Sequence, residues 1–365
     1  MLESRYTDRL WEKIQKRDQL DYEDIIFMYD EAKLSDLGKL SRKITESISG
    51  NYVSFVSNII LNYTNICNVR CKFCAFYRTG KEPDAYTMPV SAVIEEIRKY
   101  YPLGIKQLLI QGGVNPDLDI EYYTETFREI KKTFPDIGIN GLSAAEINFI
   151  SRKAGINYEE TIRRLKESGL ETIPGAGAEI LGEPTRTKLG RPKGSGKQWL
   201  EIMETAHRLG VKTTATMVYG HIESTEDKAN HLLSIMKLQK KYHGFLSFTA
   251  WNMEPENTEL YREGLIRWRS GGEDVLRNIA IARIFFNYDL PIIQSSWLTN
   301  GIEMGQLALI FGANDWGGTI YDEKVIPATG KQVGNLRKET IINSIKAIGM
   351  MPMERDNLYH ILKYY

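Results

Sequence analysis

The sequence predicts an α/β protein, a (βα)8 TIM-type barrel with N-terminal helices and a C-terminal helical extension, on three observations. From Val53 onward short β-rich segments alternate with longer amphipathic ones, the pattern of βα units around a parallel sheet. The strand candidates number eight, enough to close a barrel. The chain's three cysteines directly follow the first strand candidate, where such barrels carry active-site loops.

The first fifty residues read as helical, because Tyr22 to Glu31 and Leu34 to Ile48 space apolar residues for a helix without strand alternation. Strands are expected at Val53 to Asn62, Gln107 to Gln111, Ile137 to Leu142, Glu171 to Ile173, Lys212 to Val218, Leu246 to Trp251, Pro291 to Ser295 and Ala313 to Trp316. Helices at Val90 to Tyr100, Ile120 to Thr133, Gln198 to Arg208, Thr225 to Tyr242, Asp274 to Phe286 and Gly301 to Ile310 connect them. Asn335 to Ile348 and Asn357 to Leu362 read as appended helices that cover a barrel end or an interface. The expected organisation is a helical segment 1–50, a barrel 51–320 and a C-terminal extension 321–365, with no flexible linker, short repeat or low-complexity tract.

With 365 residues and 42% hydrophobic content the chain can bury a sizeable core. Its 47 basic and 47 acidic residues cancel, so no global field favours nucleic acid or an acidic membrane. Met1 to Lys16 is charged throughout and has no apolar core of a secretory signal, and no run approaches a membrane span. Three cysteines in one motif fit a reducing cytoplasm.

Cys67, Cys71 and Cys74 have the spacing C-x3-C-x2-C. Iron-sulfur cubes are held by four thiolates, one per iron. With no fourth cysteine, one iron is left with an open position for chemistry. Structural zinc requires four protein ligands, yet the chain has no second cysteine pair and its five histidines are scattered. A disulfide framework conflicts with the odd cysteine count and the chain length.

Other candidates follow the strands. Gly112 and Gly113, after Gln111, permit close approach of backbone to a charged ligand, or form an ordinary turn. Glu179 closes the small-residue run Pro174 to Ala178, placed to accept a ribose diol or to act as a helix-start acid. Tyr219-Gly220-His221-Ile222-Glu223 puts an imidazole at the catalytic rim, for proton exchange or for structure. Arg186 to Lys197 suggests a phosphate loop but fails on spacing, and reads as a solvated basic loop. Arg78, just beyond Cys74, could pair with a carboxylate of a ligand. Trp251 and Trp297 would supply aromatic walls or core. Asn314 and Asp315 suit sugar hydroxyls.

The cysteine motif resembles that of the radical S-adenosylmethionine (SAM) superfamily, in which SAM chelates the open iron of a [4Fe-4S] cluster. The resemblance implies that Cys67, Cys71 and Cys74 hold the cluster, that Phe73 lies by the adenine and that Gly112 and Gly113 contact SAM's amino group; Glu179, on a strand flanking the cluster loop at the barrel rim, is then expected to serve SAM as well. Further segments narrow it: Asn62 to Asn65, CKFCAFYR, IPGAGAEIL, TTATMVYGHIES, PENTEL, FGANDWGG and ERDNLY together are similar to the dehypoxanthine futalosine cyclase family of menaquinone biosynthesis, from about residue 50 to the C-terminus. CKFCAFYR is shared with aminofutalosine synthases and the deazaflavin-forming subunits. The chain departs from the family's P-W-x-F-Q-P-E-N-T at Ala250, Met253 and Glu254.

What the resemblance implies is hydrogen abstraction from the ribose C4' of dehypoxanthine futalosine, attack of the carbon radical on the benzoate ring, and loss of a proton and an electron. His221, Tyr219 and Glu254 are candidates to accept the proton, and the sequence does not choose among them. The electron for the cluster would come from a donor such as flavodoxin or ferredoxin, and no nucleic acid or membrane partner is expected. A non-catalytic electron carrier would close the cluster's ligation, and an RNA-modifying enzyme would be more basic, which leaves the sister enzymes as the alternative.

Overall fold

The computed structural model describes residues 2–16, 18–190, 193–333 and 335–365. Six parallel strands, β2 (Asn58–Leu61), β3 (Gln107–Ile110), β4 (Gly138–Gly141), β5 (Leu170–Ile173), β6 (Lys212–Tyr219) and β7 (Phe245–Asn252), pair in sequence order. A second sheet orders β10 (Ile361–Tyr364), β9 (Met351–Arg355), β1 (Tyr52–Val56) and β8 (Asp315–Gly318). The barrel closes because β1 runs into β2 and pairs in parallel with β8, while Phe248 bridges Ile293 and Gln294 bridges Asp315. Helices cover the outside, among them Val90–Tyr100, Ile120–Thr133, Thr225–Tyr242 and Gly272–Phe286, close to the expected spans. No helix among the described residues is long and apolar enough to cross a membrane.

Three expectations are corrected. The first strand is not continuous from Val53 to Asn62: it breaks at Ser57, whose carbonyl accepts from Lys106 N at 2.7 Å and whose Oγ donates to Glu354 at 2.8 Å. That break lets β1 pair with β9 and β8 while β2 pairs with β3. Pro291 to Ser295 occupies a strand's place through isolated bridges alone, and Pro291 brings no N–H to a ladder. Asn357 to Leu362 is not a helix. Asp356 Oδ1 accepts from Leu358 N at 2.8 Å and His360 N at 2.9 Å, Tyr359 has φ 67°, and the chain returns as β10. Six residues closed this way cannot complete enough helical turns to be stable.

The C-terminal turn plugs the lower end of the barrel. Asn357 Oδ1 accepts from Gln107 Nε2 at 2.8 Å and Thr172 Oγ1 at 3.2 Å, and Tyr359 OH donates to Ser247 Oγ at 2.6 Å. Gly138 makes room for it, since a Cβ there would stand 2.3 Å from Asn357 Cβ. Strand alternation then decides what faces inward. Along β6, Thr214, Thr216 and Val218 line the interior cavity, and Ala215, Met217 and Tyr219 are buried among the core residues.

Candidate active site

The loop after β2 is tied down from several sides. Cys67 N donates to Arg78 O at 2.9 Å, Asn68 N to Val114 O at 3.0 Å, Lys72 N to Leu189 O at 2.9 Å and Cys74 N to Cys71 O at 3.0 Å. Arg78 holds this loop and does not face a ligand: its Nε and Nη2 reach Asp84 at 2.8 and 2.7 Å, and Nη1 donates to the carbonyls of Ala75, Phe76 and Tyr77. All three guanidinium nitrogens are engaged within the loop, and Arg78 lines neither chamber described below. Gly113 is required by close approach, because a Cβ would lie 2.2 Å from Ile66 O and 2.9 Å from Cys67 Cβ. Gly112 donates its N–H to Glu146 Oε1 at 3.0 Å. Glu146, which sequence reasoning missed, is buried, also accepts from Tyr63 OH at 2.6 Å, and is pushed up in pKa by that burial.

Cys67, Cys71 and Cys74 line a cavity of about 170 Å³ with Gly112, Gly113, Glu179 and Lys193. Burial pushes the Cys71 thiol up to about 12 and raises Cys74 as well. Among the described residues no three His, Cys, Asp or Glu side chains converge tightly enough for a single metal ion. The three thiols instead line a chamber, and the buried oxygens Asn62 Oδ1 and Gln111 Oε1 on its wall have no partner. Three thiols beside a glycine cradle fit a cluster with a polar ligand next to it.

This chamber adjoins a larger one of about 330 Å³, with Phe73, Cys74, Gln111 and Glu179 lining both. Trp251, Trp297, Trp316 and Tyr359 give the larger chamber aromatic surfaces, and Trp297 Nε1 donates to Gly318 O at 3.1 Å. Glu179, at φ 41°, accepts a short hydrogen bond from Lys193 Nζ, which also lies 4.6 Å from the Phe73 ring centroid. Glu254 lines the larger chamber and is bound by Arg269 Nε at 2.8 Å and Lys331 Nζ at 2.7 Å.

The stretch from Arg186 to Lys197 is not a solvated loop, although Arg191 and Pro192 lie outside the described residues. Arg186 is buried and donates to the carbonyls of Gly177, Ala178, Ile180 and Gly194. It shapes the loop that carries Glu179. Ser195 caps the helix Gly196–Arg208.

Four expected site residues stand elsewhere. Tyr219 lies on the outward phase of β6, with burial raising its hydroxyl pKa. His221 folds its own loop, since Nδ1 accepts from Ile222 N at 2.7 Å and Nε2 donates to Val218 O at 2.9 Å. Burial lowers its pKa. Both ring nitrogens are spent. Asn314 Oδ1 accepts from Arg283 Nη2 at 2.7 Å and Ile293 N at 3.0 Å. Asp315 is buried against Arg355, with Oδ2 2.6 Å from Nε. Asn314 and Asp315 therefore hold strand ends together, and neither lines the cavity.

Comparison with known proteins agrees with this geometry. Residues 61–235 match the Radical SAM superfamily and residues 242–364 the CofH/MqnC C-terminal region. The chain is 35% identical to cyclic dehypoxanthine futalosine synthase of Halalkalibacterium halodurans, covering 98% of this chain and 95% of the relative. It is 36% identical to aminodeoxyfutalosine synthase of Thermus thermophilus, covering 95% and 94%. It is 38% identical to 5-amino-6-(D-ribitylamino)uracil–L-tyrosine 4-hydroxyphenyl transferase of Methanopyrus kandleri, covering 87% and 86%. Among solved structures, methylornithine synthase shares the fold at TM-score 0.71 and 19% identity, covering 94% of this chain and 97% of that one. The barrel and its three-thiol chamber are those of a radical SAM enzyme. The chain belongs to the radical SAM superfamily, in the family marked by the CofH/MqnC C-terminal region, whose members include the futalosine-pathway synthases and the 4-hydroxyphenyl transferase named above.

Proposed function

We propose that the chain converts dehypoxanthine futalosine to cyclic dehypoxanthinyl futalosine in menaquinone biosynthesis. The observation that carries the reading is the pair of adjoining chambers, one lined by three thiols and the other by aromatic, apolar and polar side chains with Glu254 among them. Cys67, Cys71 and Cys74 would hold a [4Fe-4S] cluster, with Phe73, Gly112, Gly113 and Glu179 around SAM. When bound, cluster and SAM supply a 5'-deoxyadenosyl radical. The chain's own residues position the substrate and exclude water, and a misplacement of about 1 Å costs on the order of a hundredfold in rate. Trp251 and Trp297 flank the aromatic part of the substrate. Of the three proton-acceptor candidates only Glu254 lines the larger chamber, so the ring proton is assigned to it. The reductant is a flavodoxin or ferredoxin and the compartment the cytoplasm.

A second reading has one observation in its favour. The charged residues lining the larger chamber are Glu179, Glu254, Glu323 and Arg355, and Arg355 is already paired with Asp315. A chamber without an unpaired cation among its described lining suits a neutral ribitylaminouracil at least as well as a benzoate. Anaerobically reconstituted enzyme, given reductant, SAM and either dehypoxanthine futalosine or ribitylaminouracil with tyrosine, separates the two. The expected result is a product from the first alone, lighter by the abstracted hydrogen and the released proton. Turnover with the second alone contradicts the cyclase reading.

A further inference from the structure

On three successive strands the barrel wall carries carboxamides whose oxygens have no hydrogen-bond partner. Asn62 follows β2, Gln111 follows β3 and Asn140 lies in β4; Asn62 Oδ1, Gln111 Oε1 and Asn140 Oδ1 are all buried and unpaired. Asn62 and Asn140 are only 1% and 7% exposed. The strand register sets them close together: Leu61 pairs with Ile110, which puts Asn62 beside Gln111, and Leu109 pairs with Asn140 just below. Asn62 lines the thiol chamber, Asn140 the larger chamber and Gln111 both.

The neighbouring carboxamides are satisfied. Asn58 Nδ2 donates to Gln107 Oε1 at 3.1 Å, Gln107 Nε2 to Asn357 Oδ1 at 2.8 Å and Gln294 Nε2 to Tyr359 OH at 2.9 Å. Asn252 Oδ1 accepts from Thr299 Oγ1 at 2.6 Å. Among the described residues, buried amide oxygens without a partner are thus confined to the stretch of wall where the two chambers meet. Buried polar groups are rarely left without partners, and three adjacent ones describe the outline of a ligand.

We propose that Asn62, Gln111 and Asn140 form a row that binds the hydroxyl groups of a pentose or pentitol unit of the second substrate, holding that unit at the junction with the thiol chamber. A hydroxyl both donates and accepts, so it can donate to the oxygen of Asn62, whose amide is fixed by Nδ2 donating to Gln111 O at 3.1 Å, and it matches the amides of Gln111 and Asn140 whichever way those are turned. The row itself carries no charge, which disfavours a phosphate or carboxylate at this position. This rests on the larger chamber holding the second substrate, and it names the part of that substrate which is recognised.

The test uses reconstituted enzyme without reductant, with ligand binding followed by tryptophan fluorescence. Dehypoxanthine futalosine and 5-amino-6-(D-ribitylamino)uracil are each compared with an analogue lacking one sugar or ribityl hydroxyl. Wild type is expected to prefer a hydroxylated ligand by about tenfold, as for one hydrogen bond. Asn140→Leu and Gln111→Met, of similar size, should remove the preference without lowering the melting temperature, because no bond within the protein is lost. A merely structural role would lower it. If the preference holds for the ribityl pair alone, the row stands and the cyclase reading falls. The row is overturned if wild type binds hydroxylated and deoxy ligands equally, if neither pair binds, or if both variants keep the preference.

Discussion

Cys71→Ala is expected to abolish cluster assembly and, with it, all SAM cleavage. Cys71 is the most buried of the three thiols, 9% exposed, packed with Val69 and Val114. Gly190 approaches so closely that a Cβ there would lie 3.4 Å from its sulfur. No other cysteine exists to replace it. Anaerobic reconstitution of wild type should give about four irons per chain, and of the variant less than about one. Losing a sulfur from a small apolar pocket should leave the fold intact, so circular dichroism separates loss of iron from loss of structure. Normal iron content in the variant, or stoichiometric zinc in wild type, would overturn the cluster assignment.

The second large effect is on stability. Asp315 receives Arg355 Nε at 2.6 Å and Nη2 at 3.1 Å, Ser54 Oγ at 2.6 Å, Gln294 Nε2 at 3.1 Å and Gly317 N at 2.8 Å. Its side chain is 0% exposed and that of Arg355 is 1%. Breaking such a pair strands a charge in the interior, at a cost of about 3–5 kcal/mol. Asp315→Asn should therefore shift the urea midpoint down sharply without changing the slope. Because Arg355 also stacks on Tyr359, 3.6 Å from its ring centroid, and both line the larger chamber, the variant should loosen the chamber floor. An unchanged midpoint would show that the pair does not hold the barrel end.

Periodicity and spacing carried much of the fold and the cofactor end of the site into view. The βα alternation marked the barrel, and CNVRCKFC marked its active end. Side-chain direction was harder to read. Tyr219 and Thr216 belong to one β-rich run, yet Thr216 lines the chamber and Tyr219 faces outward. The strand's register, fixed by its neighbours, decides this, and the residue type does not. His221 and Arg78 have chemically versatile groups, but short-range bonds to their own loops consume them. Asp315 is matched to Arg355, forty residues away in sequence, a pairing that no local pattern marks. Asn140 sits inside an ordinary strand sequence, IGING, and its lack of a partner is visible only once the surrounding groups have found theirs.

The cyclase reading depends on which carbon loses hydrogen. Reduced, reconstituted enzyme should be given SAM and dehypoxanthine futalosine carrying deuterium at ribose C4', and the 5'-deoxyadenosine analysed by mass spectrometry. The predicted result is deuterium in 5'-deoxyadenosine together with a cyclised product. Unlabelled 5'-deoxyadenosine accompanying product formation, or turnover supported only by tyrosine or an enolpyruvyl benzoate, would contradict it.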